Sequence, residues 1–81
     1  MNLYIGNLDY KVNDDSLNDL FSEYGTVTSV KIIADKYSGQ SKGFGFVEME
    51  NSNEAQAAID GLNGSTFMKR ELIVNEARPR S

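Results

Sequence analysis

The stretch at residues 42–49, KGFGFVEM, constrains the fold more than any other part of the chain. Successive side chains of a strand point to opposite faces, so Phe44, Phe46 and Glu48 share one face and the residues between them share the other. Glycine inside a strand weakens it and often marks the close approach of a ligand or of another backbone. The stretch therefore predicts a strand that presents two rings on one face, and the rest of the chain decides what those rings contact.

Length and composition limit what the chain can be. Its 81 residues suit one domain, and 40% hydrophobic with 25% charged residues is typical of a globular protein. The lack of cysteine and histidine excludes disulfides, thiolate metal sites and the commonest general base. No apolar run approaches the ~20 residues that span a bilayer, and the N-terminus lacks a signal-peptide pattern. We therefore expect a soluble protein of the cytoplasm, or of the nucleus if its source is a eukaryote.

Hydrophobic periodicity and turn residues predict four strands and two helices. The predicted strands span residues 1–8, 27–35, 42–49 and 71–77, with a flexible hairpin loop at 36–41. The first helix is predicted at residues 14–24 after the N-cap Asn13, and the second runs from the N-cap Asn51 to the glycines at 61 and 64. The order β-α-β-β-α-β predicts an α+β fold of the ferredoxin-like sandwich type, a four-stranded antiparallel sheet with both helices on one face.

Two helices of about ten residues each can cover only one face of four strands. The apolar residues expected on that covered face are Leu3, Ile5, Val30, Ile32, Val47, Met49, Leu72 and Val74. Tyr4, Phe44 and Phe46 are left on the other face, which we call the open face. Expected around them are Lys31, Ile33, Ile73 and Asn75. Burying the three rings would need a third layer that the chain does not contain, so we predict that they form a binding surface.

Two short motifs in this arrangement resemble those of the RNA recognition motif family. The family's octamer, Lys/Arg-Gly-Phe/Tyr-Gly/Ala-Phe-Val-x-Phe/Tyr, matches residues 42–49 at every fixed position except the last, where Met49 replaces an aromatic. The family's hexamer resembles residues 3–8, LYIGNL. The resemblance extends to small bacterial single-domain members and to the domain of plant glycine-rich RNA-binding proteins. It marks residues 1–78 as one RNA recognition motif domain, with a short basic tail at 79–81.

The resemblance implies that the open face binds single-stranded RNA. Tyr4 and Phe44 would stack on two adjacent bases, and Phe46 would pack against sugars or a further base. Lys42 would meet a phosphate. The implied RNA-binding residues are Tyr4, Asn7, Lys31, Lys42, Phe44, Phe46, Asn75 and Arg78. A role in post-transcriptional regulation follows, for a monomer that needs no cofactor or metal, catalyses no reaction and has no membrane or small-molecule partner.

The net charge of −4 argues against a nucleic-acid partner unless the charges are segregated. The acidic residues expected on the two helices, away from the rings, are Asp14, Asp15, Asp19, Glu23, Glu54 and Asp60. Lys31, Lys42 and Arg78 are expected on or beside the open face, although Glu48 and Glu71 dilute their charge. The acidic balance is therefore compatible with RNA binding in which stacking outweighs Coulomb attraction.

Other interpretations stay open at this point. The same fold can hold a peptide on its aromatic face or its acidic helices, and the rings can equally stack on single-stranded DNA. Tyr37 is either a solvent-exposed loop residue or an additional stacking contact. The pair Asp14 and Asp15 is interpreted as helix capping rather than as a catalytic or metal-binding dyad. An enzyme has no support, because no pairing of a nucleophile with a base can be named.

Overall fold

The computed structural model describes residues 1–39 and 41–77, with the backbone alone at Ser41 and Lys42. Its elements are β1 (Asn2–Gly6), α1 (Asp14–Ser22), β2 (Val27–Ala34), β3 (Ser41–Met49), α2 (Ser52–Leu62), β4 (Thr66–Phe67), β5 (Arg70–Glu71) and β6 (Ile73–Glu76). Four strands form an antiparallel sheet in the order β2-β3-β1-β6, while β4 and β5 form a separate small hairpin. The predicted α+β fold, a four-stranded antiparallel sheet with two helices, is confirmed.

Both helices begin at the predicted asparagine caps. The Asn13 Oδ1 atom accepts a hydrogen bond from the Ser16 N–H at 2.8 Å, and the Asn51 Oδ1 atom accepts one from the Glu54 N–H at 3.0 Å. Asp14 and Asp15 lie in the first turn of α1, where the helix dipole favours negative charge. The capping interpretation of these two carboxylates therefore agrees with where the structure places them.

The last strand differs most from its prediction. The chain forms the unpredicted β4–β5 hairpin first, and β6 begins at Ile73 rather than at residue 71. Leu72 explains the difference, because its N–H donates to the Ser65 carbonyl and its own carbonyl accepts from the Gly64 N–H, each at 2.8 Å. These bonds hold Leu72 against the connection that follows α2. Regular pairing with β1 therefore starts at the next residue, Ile73.

Other boundaries also shift, each by one or two residues. The strand β1 ends at Gly6 instead of residue 8, because Asn7 has a φ of 57° and leaves the extended conformation. The helix α1 ends at Ser22, two residues before its predicted end, and β3 begins at Ser41, which had been assigned to the loop. The position predicted for the domain end, Arg78, and the tail at 79–81 lie outside the described residues.

The core lies between the two helices and one face of the sheet. Six of the eight residues predicted on that face are buried: Leu3, Ile5, Val47, Met49, Leu72 and Val74. Leu17 and Phe21 of α1 and Ala55 and Ala58 of α2 pack into the same cluster. Val30 and Ile32 are only partly buried, because β2 is an edge strand and has a neighbour on one side. One face of the sheet is thus fully used for stability.

Gly45 lets β2 and β3 approach each other closely. A Cβ atom at this position would lie 2.7 Å from the Lys31 carbonyl oxygen and 3.0 Å from the Ile32 Cα atom, and both are backbone atoms that cannot turn aside. A Cβ atom at Gly6 would also meet its nearest neighbour at 2.9 Å, but that neighbour is the hydroxyl end of the Tyr4 side chain. A glycine in this strand was expected to mark the close approach of a ligand or of another backbone. At Gly45 it is the backbone of β2 that approaches.

We expect Gly45→Ala to destabilise the fold, because the added methyl forces the β2 backbone away from β3. Overpacking of this kind costs roughly 1–3 kcal/mol. Chemical denaturation followed by circular dichroism measures the change, and Gly6→Ala is the matched control, with a smaller loss because the Tyr4 ring can move. Equal stability of Gly45→Ala and the unmodified protein would contradict the close contact.

Candidate nucleic-acid interface

One row of side chains crosses the open face from edge to edge. Lys31 of β2 is the register partner of Phe46 on β3, Phe46 is that of Tyr4 on β1, and Tyr4 is that of Asn75 on β6. Residues paired in this way on one face of a sheet are near neighbours. The structure thus brings four of the predicted site residues into a single line across all four strands.

The three rings form a cluster on this face. The centroid of Tyr4 lies 6.0 Å from that of Phe44 and 5.9 Å from that of Phe46, and the two phenylalanine centroids are 6.3 Å apart. Phe44 and Phe46 meet edge-on with an interplanar angle of 89°, an arrangement that the ring quadrupoles favour. Phe46 is 38% exposed, and Tyr4 and Phe44 are partly buried. Because the planes of the three rings differ, the rings do not form one continuous flat surface. Each ring offers its own surface for stacking.

Gly6 contributes to the position of the Tyr4 ring. The space that a Cβ atom would need at Gly6 is occupied by Tyr4 ring atoms, at 2.9 Å for the hydroxyl oxygen and 3.0 Å for Cε1. Tyr4 therefore lies along β1 over the Gly6 backbone, on the same face as Phe44. A residue with a side chain at position 6 would displace the ring from this place.

The acidic residues predicted on the helices lie on or next to them, and of the predicted basic residues the structure describes the side chain of Lys31. Lys31 and Glu48 are exposed on the open face, and Glu48 is the register partner of Asn2 on one side and Ser29 on the other. The acidic side chains on α1 and α2 are Asp14, Asp15, Asp19, Glu54 and Asp60. Glu23 caps the C-terminal end of α1. Six of the 12 acidic residues of the chain thus lie on the helices or at the end of α1, on the side of the sheet opposite the rings.

Asn7 lies just beyond the open face and is tied into the chain. Its Nδ2 donates to the Glu71 carbonyl at 2.6 Å, and its Oδ1 accepts from an Arg70 terminal nitrogen at 3.3 Å. These bonds connect the end of β1 to the β4–β5 hairpin. Its predicted contact with RNA stays a prediction, and the structure adds a role in holding the hairpin in place.

Three other sequence-predicted positions are less informative. The side chain of Lys42 and the whole of Arg78 lie outside what the structure describes, so their predicted contacts stay predictions. Tyr37 is 95% exposed in the loop between β2 and β3, which fits the interpretation as a solvent-exposed loop residue.

Sequence reasoning missed Tyr10 and Arg70. Tyr10 is 65% exposed in the loop after β1, and the Arg70 guanidinium carbon lies 5.6 Å from the centre of its ring. The only signal for Tyr10 was an aromatic residue within a polar loop. Arg70 could not be placed near it, because the hairpin that carries Arg70 was not predicted.

Neither a metal site nor a membrane span is found in the part of the chain that the structure describes. Among those residues, acidic side chains do not gather into a group of three or more that could ligate a metal ion. The helices described there are too short or too polar to cross a bilayer. What remains as the candidate interface is the open face with its ring cluster.

Comparison with known proteins agrees with this geometry. The family model described as the RNA recognition motif matches residues 3–73. The RNA-binding protein RbpE of Nostoc sp. is 52% identical over 80 residues, which cover 99% of this chain and 81% of that protein. The crystal structure of RNA Binding Protein PG1 superposes with a TM-score of 0.96 at 49% identity, over 100% of this chain and 98% of the other. The structure of a Sxl-lethal protein/RNA complex superposes with a TM-score of 0.92 at 34% identity, over 99% of this chain and 48% of the other.

We expect Asn7→Ala to destabilise the protein by about 2–4 kcal/mol, because it removes two hydrogen bonds of about 0.5–1.5 kcal/mol each and puts alanine at a positive φ, which adds about 1 kcal/mol. Asn7→Gly separates the two causes, since glycine tolerates this φ and loses only the bonds. Urea denaturation should rank the unmodified protein above Asn7→Gly and Asn7→Gly above Asn7→Ala. Full stability of Asn7→Gly would show that the amide bonds contribute nothing.

Proposed function

We propose a function for this chain from one premise: it belongs to the RNA recognition motif family. It binds single-stranded RNA on the open face, with bases stacked on Tyr4, Phe44 and Phe46. The observation that carries this proposal is the cluster of three rings on the face that neither helix covers. In water, rings on a surface gain most from flat apolar partners, and an unpaired base has such a face.

The proposal gives each predicted site residue a role. Tyr4 and Phe44 take two adjacent bases, and Phe46 packs against a sugar or a further base. Lys31, at one end of the row beside Phe46, and Lys42 meet phosphates. Asn75, at the other end beside Tyr4, offers an amide that can donate to and accept from a base edge. Asn7 and Arg78 make flanking contacts.

The expected affinity is weak to moderate. Stacking on an aromatic side chain is worth roughly 1–3 kcal/mol per base. Two or three stacks give about 2–9 kcal/mol, from which the association cost of ~4 kcal/mol or more must be subtracted. Contacts from flanking strands and loops must therefore add to both affinity and sequence preference.

The domain acts as a monomer, in post-transcriptional regulation in the cytoplasm, and the proposal includes no catalytic step. Support for the monomer comes from the two edge strands of the sheet, whose outward backbone groups are partly occupied. The Ile32 N–H of β2 donates to an Asp14 carboxylate oxygen at 3.3 Å, and the Val74 N–H of β6 donates to the Asn63 side chain at 3.0 Å. Occupied edges are poor templates for pairing with a second copy.

We expect Phe44→Ala and Phe46→Ala each to weaken binding by roughly 1–3 kcal/mol, because each variant removes one stacking platform. Titration with a panel of short RNAs, followed by fluorescence anisotropy, measures the loss. Tyr37→Ala is the matched control, because it removes an aromatic ring from a loop position that is 95% exposed.

Circular dichroism must show that all three variants stay folded. Undiminished RNA binding by both phenylalanine variants would remove the proposed site. Equal binding of DNA oligonucleotides with the same bases would favour single-stranded DNA as an equivalent partner, and failure to bind any oligonucleotide would favour a peptide.

We expect the affinity to depend weakly on salt, because the described open face carries a carboxylate, Glu48, as well as Lys31. Each phosphate contact on a single strand contributes a slope of about −0.7 to a plot of log affinity against log salt concentration. Two or three contacts therefore predict a slope of about −2. Anisotropy titrations between low and moderate salt give this number, and a slope steeper than about −4 would show that phosphate contacts dominate instead.

A further inference from the structure

A second exposed aromatic residue, Tyr10, lies beside Gly43 of β3. Tyr10 is 65% exposed although the Arg70 guanidinium lies over its ring, so part of the ring surface remains accessible. A Cβ atom at Gly43 would lie 3.7 Å from Tyr10 Cε1, which places the ring edge next to the residue that precedes Phe44. The Tyr10 ring therefore lies near the β3 backbone directly before Phe44.

The chain fixes this pair in position with several contacts. The Asn7 side chain, directly after Gly6 on the open face, accepts from Arg70 at 3.3 Å and donates to the Glu71 carbonyl at 2.6 Å. Close by, the Leu8 N–H donates to the Gly43 carbonyl at 2.8 Å, so the loop that leads to Tyr10 is tied to β3. Both members of the pair are thus anchored to strands that carry the rings.

The hairpin that carries Arg70 is built at a conformational cost. Its two-residue turn places Met68 at a φ of 51° and Lys69 at a φ of 68°, where glycine or asparagine is usually found. Backbone strain of this kind clusters at functional sites. Lys69 and Lys11 line the groove beside the hairpin together with Asp9 and Met68. Tyr10 itself lines a neighbouring groove with Asp14 and Asp15, so lysines and carboxylates both lie near the pair.

We infer that Tyr10 and Arg70 form an accessory site for one additional nucleotide of the same RNA strand, and this inference rests on the proposed function. The base stacks on the accessible part of the Tyr10 ring. Its phosphate contacts Arg70, whose planar guanidinium presents five donors and suits phosphate geometry. An Arg–Tyr pair that served only to hold the hairpin would not need a ring that is 65% exposed.

The test compares oligouridylates and oligoadenylates of three nucleotides with the same oligonucleotides extended by one nucleotide at the 5′ or the 3′ end. The unmodified protein should bind one of the two extended forms about fivefold or more tightly, which corresponds to about 1 kcal/mol. Tyr10→Leu keeps an apolar side chain but loses the flat ring, so it should reduce this gain to less than twofold. Tyr10→Phe should retain it.

Phe46→Leu separates failure of this inference from failure of the proposed function. It should weaken the binding of short and extended oligonucleotides alike and keep the gain from extension. If Phe46→Leu changes the affinity for neither the short nor the extended oligonucleotides, the proposed function fails. If Phe46→Leu behaves as expected but Tyr10→Leu keeps the gain, or weakens short and extended oligonucleotides by the same factor, the accessory site is wrong.

A measurement on the unmodified protein keeps the test valid if Tyr10→Leu proves poorly folded by circular dichroism. The extension is then made with an abasic nucleotide, which keeps the phosphate and lacks the base. Stacking on Tyr10 predicts that the abasic extension loses most of the fivefold gain. An abasic extension that binds as tightly as a complete nucleotide would overturn the stacking site.

Discussion

Coverage of the sheet is the constraint on which the rest of this structure depends. Four strands offer two faces, and α1 and α2 pack on only one of them, where Leu3, Ile5 and Val47 are buried. The other face keeps its side chains at the surface, and three of these are aromatic rings in mutual contact. Stability therefore depends on one face of the sheet, and the other is left for the binding that we propose. Because side chains alternate along a strand, core residues and proposed binding residues alternate on β1 and β3.

Glycine allows both functions in the same two strands. On β3, Gly45 stands between Phe44 and Phe46 and faces away from them, where its missing side chain lets the β2 backbone approach. On β1, Gly6 leaves room for the Tyr4 ring on the open face. One glycine thus serves the packing of the sheet and the other the position of a ring. A strand selected for stability alone would carry larger residues at these positions.

The sequence predicted the features that follow a short period and missed those that depend on irregular backbone. The alternation at residues 42–49 placed Phe44 and Phe46 together, and the element order placed Tyr4 beside them. The Asn7–Arg70–Tyr10 contacts could not be predicted, because they depend on a hairpin whose Met68-Lys69 turn lacks the usual glycine or asparagine. The sequence also could not predict that Lys31 lies opposite Phe46, because two register irregularities interrupt the pairing of β2 with β3. Local pattern sets the faces of a strand, whereas irregular turns and strand register depend on contacts between distant residues.

The account stands on the claim that bases lie against the rings of the open face. Nuclear magnetic resonance with aromatic side chains labelled in carbon-13 tests it most directly, because ring-current shifts report stacking at each ring during an RNA titration. The account predicts progressive shifts of the Tyr4, Phe44 and Phe46 ring signals, with little change at Phe21 in the core. Shifts confined to backbone signals of α1 and α2, with the three ring signals unmoved at saturation, would contradict it.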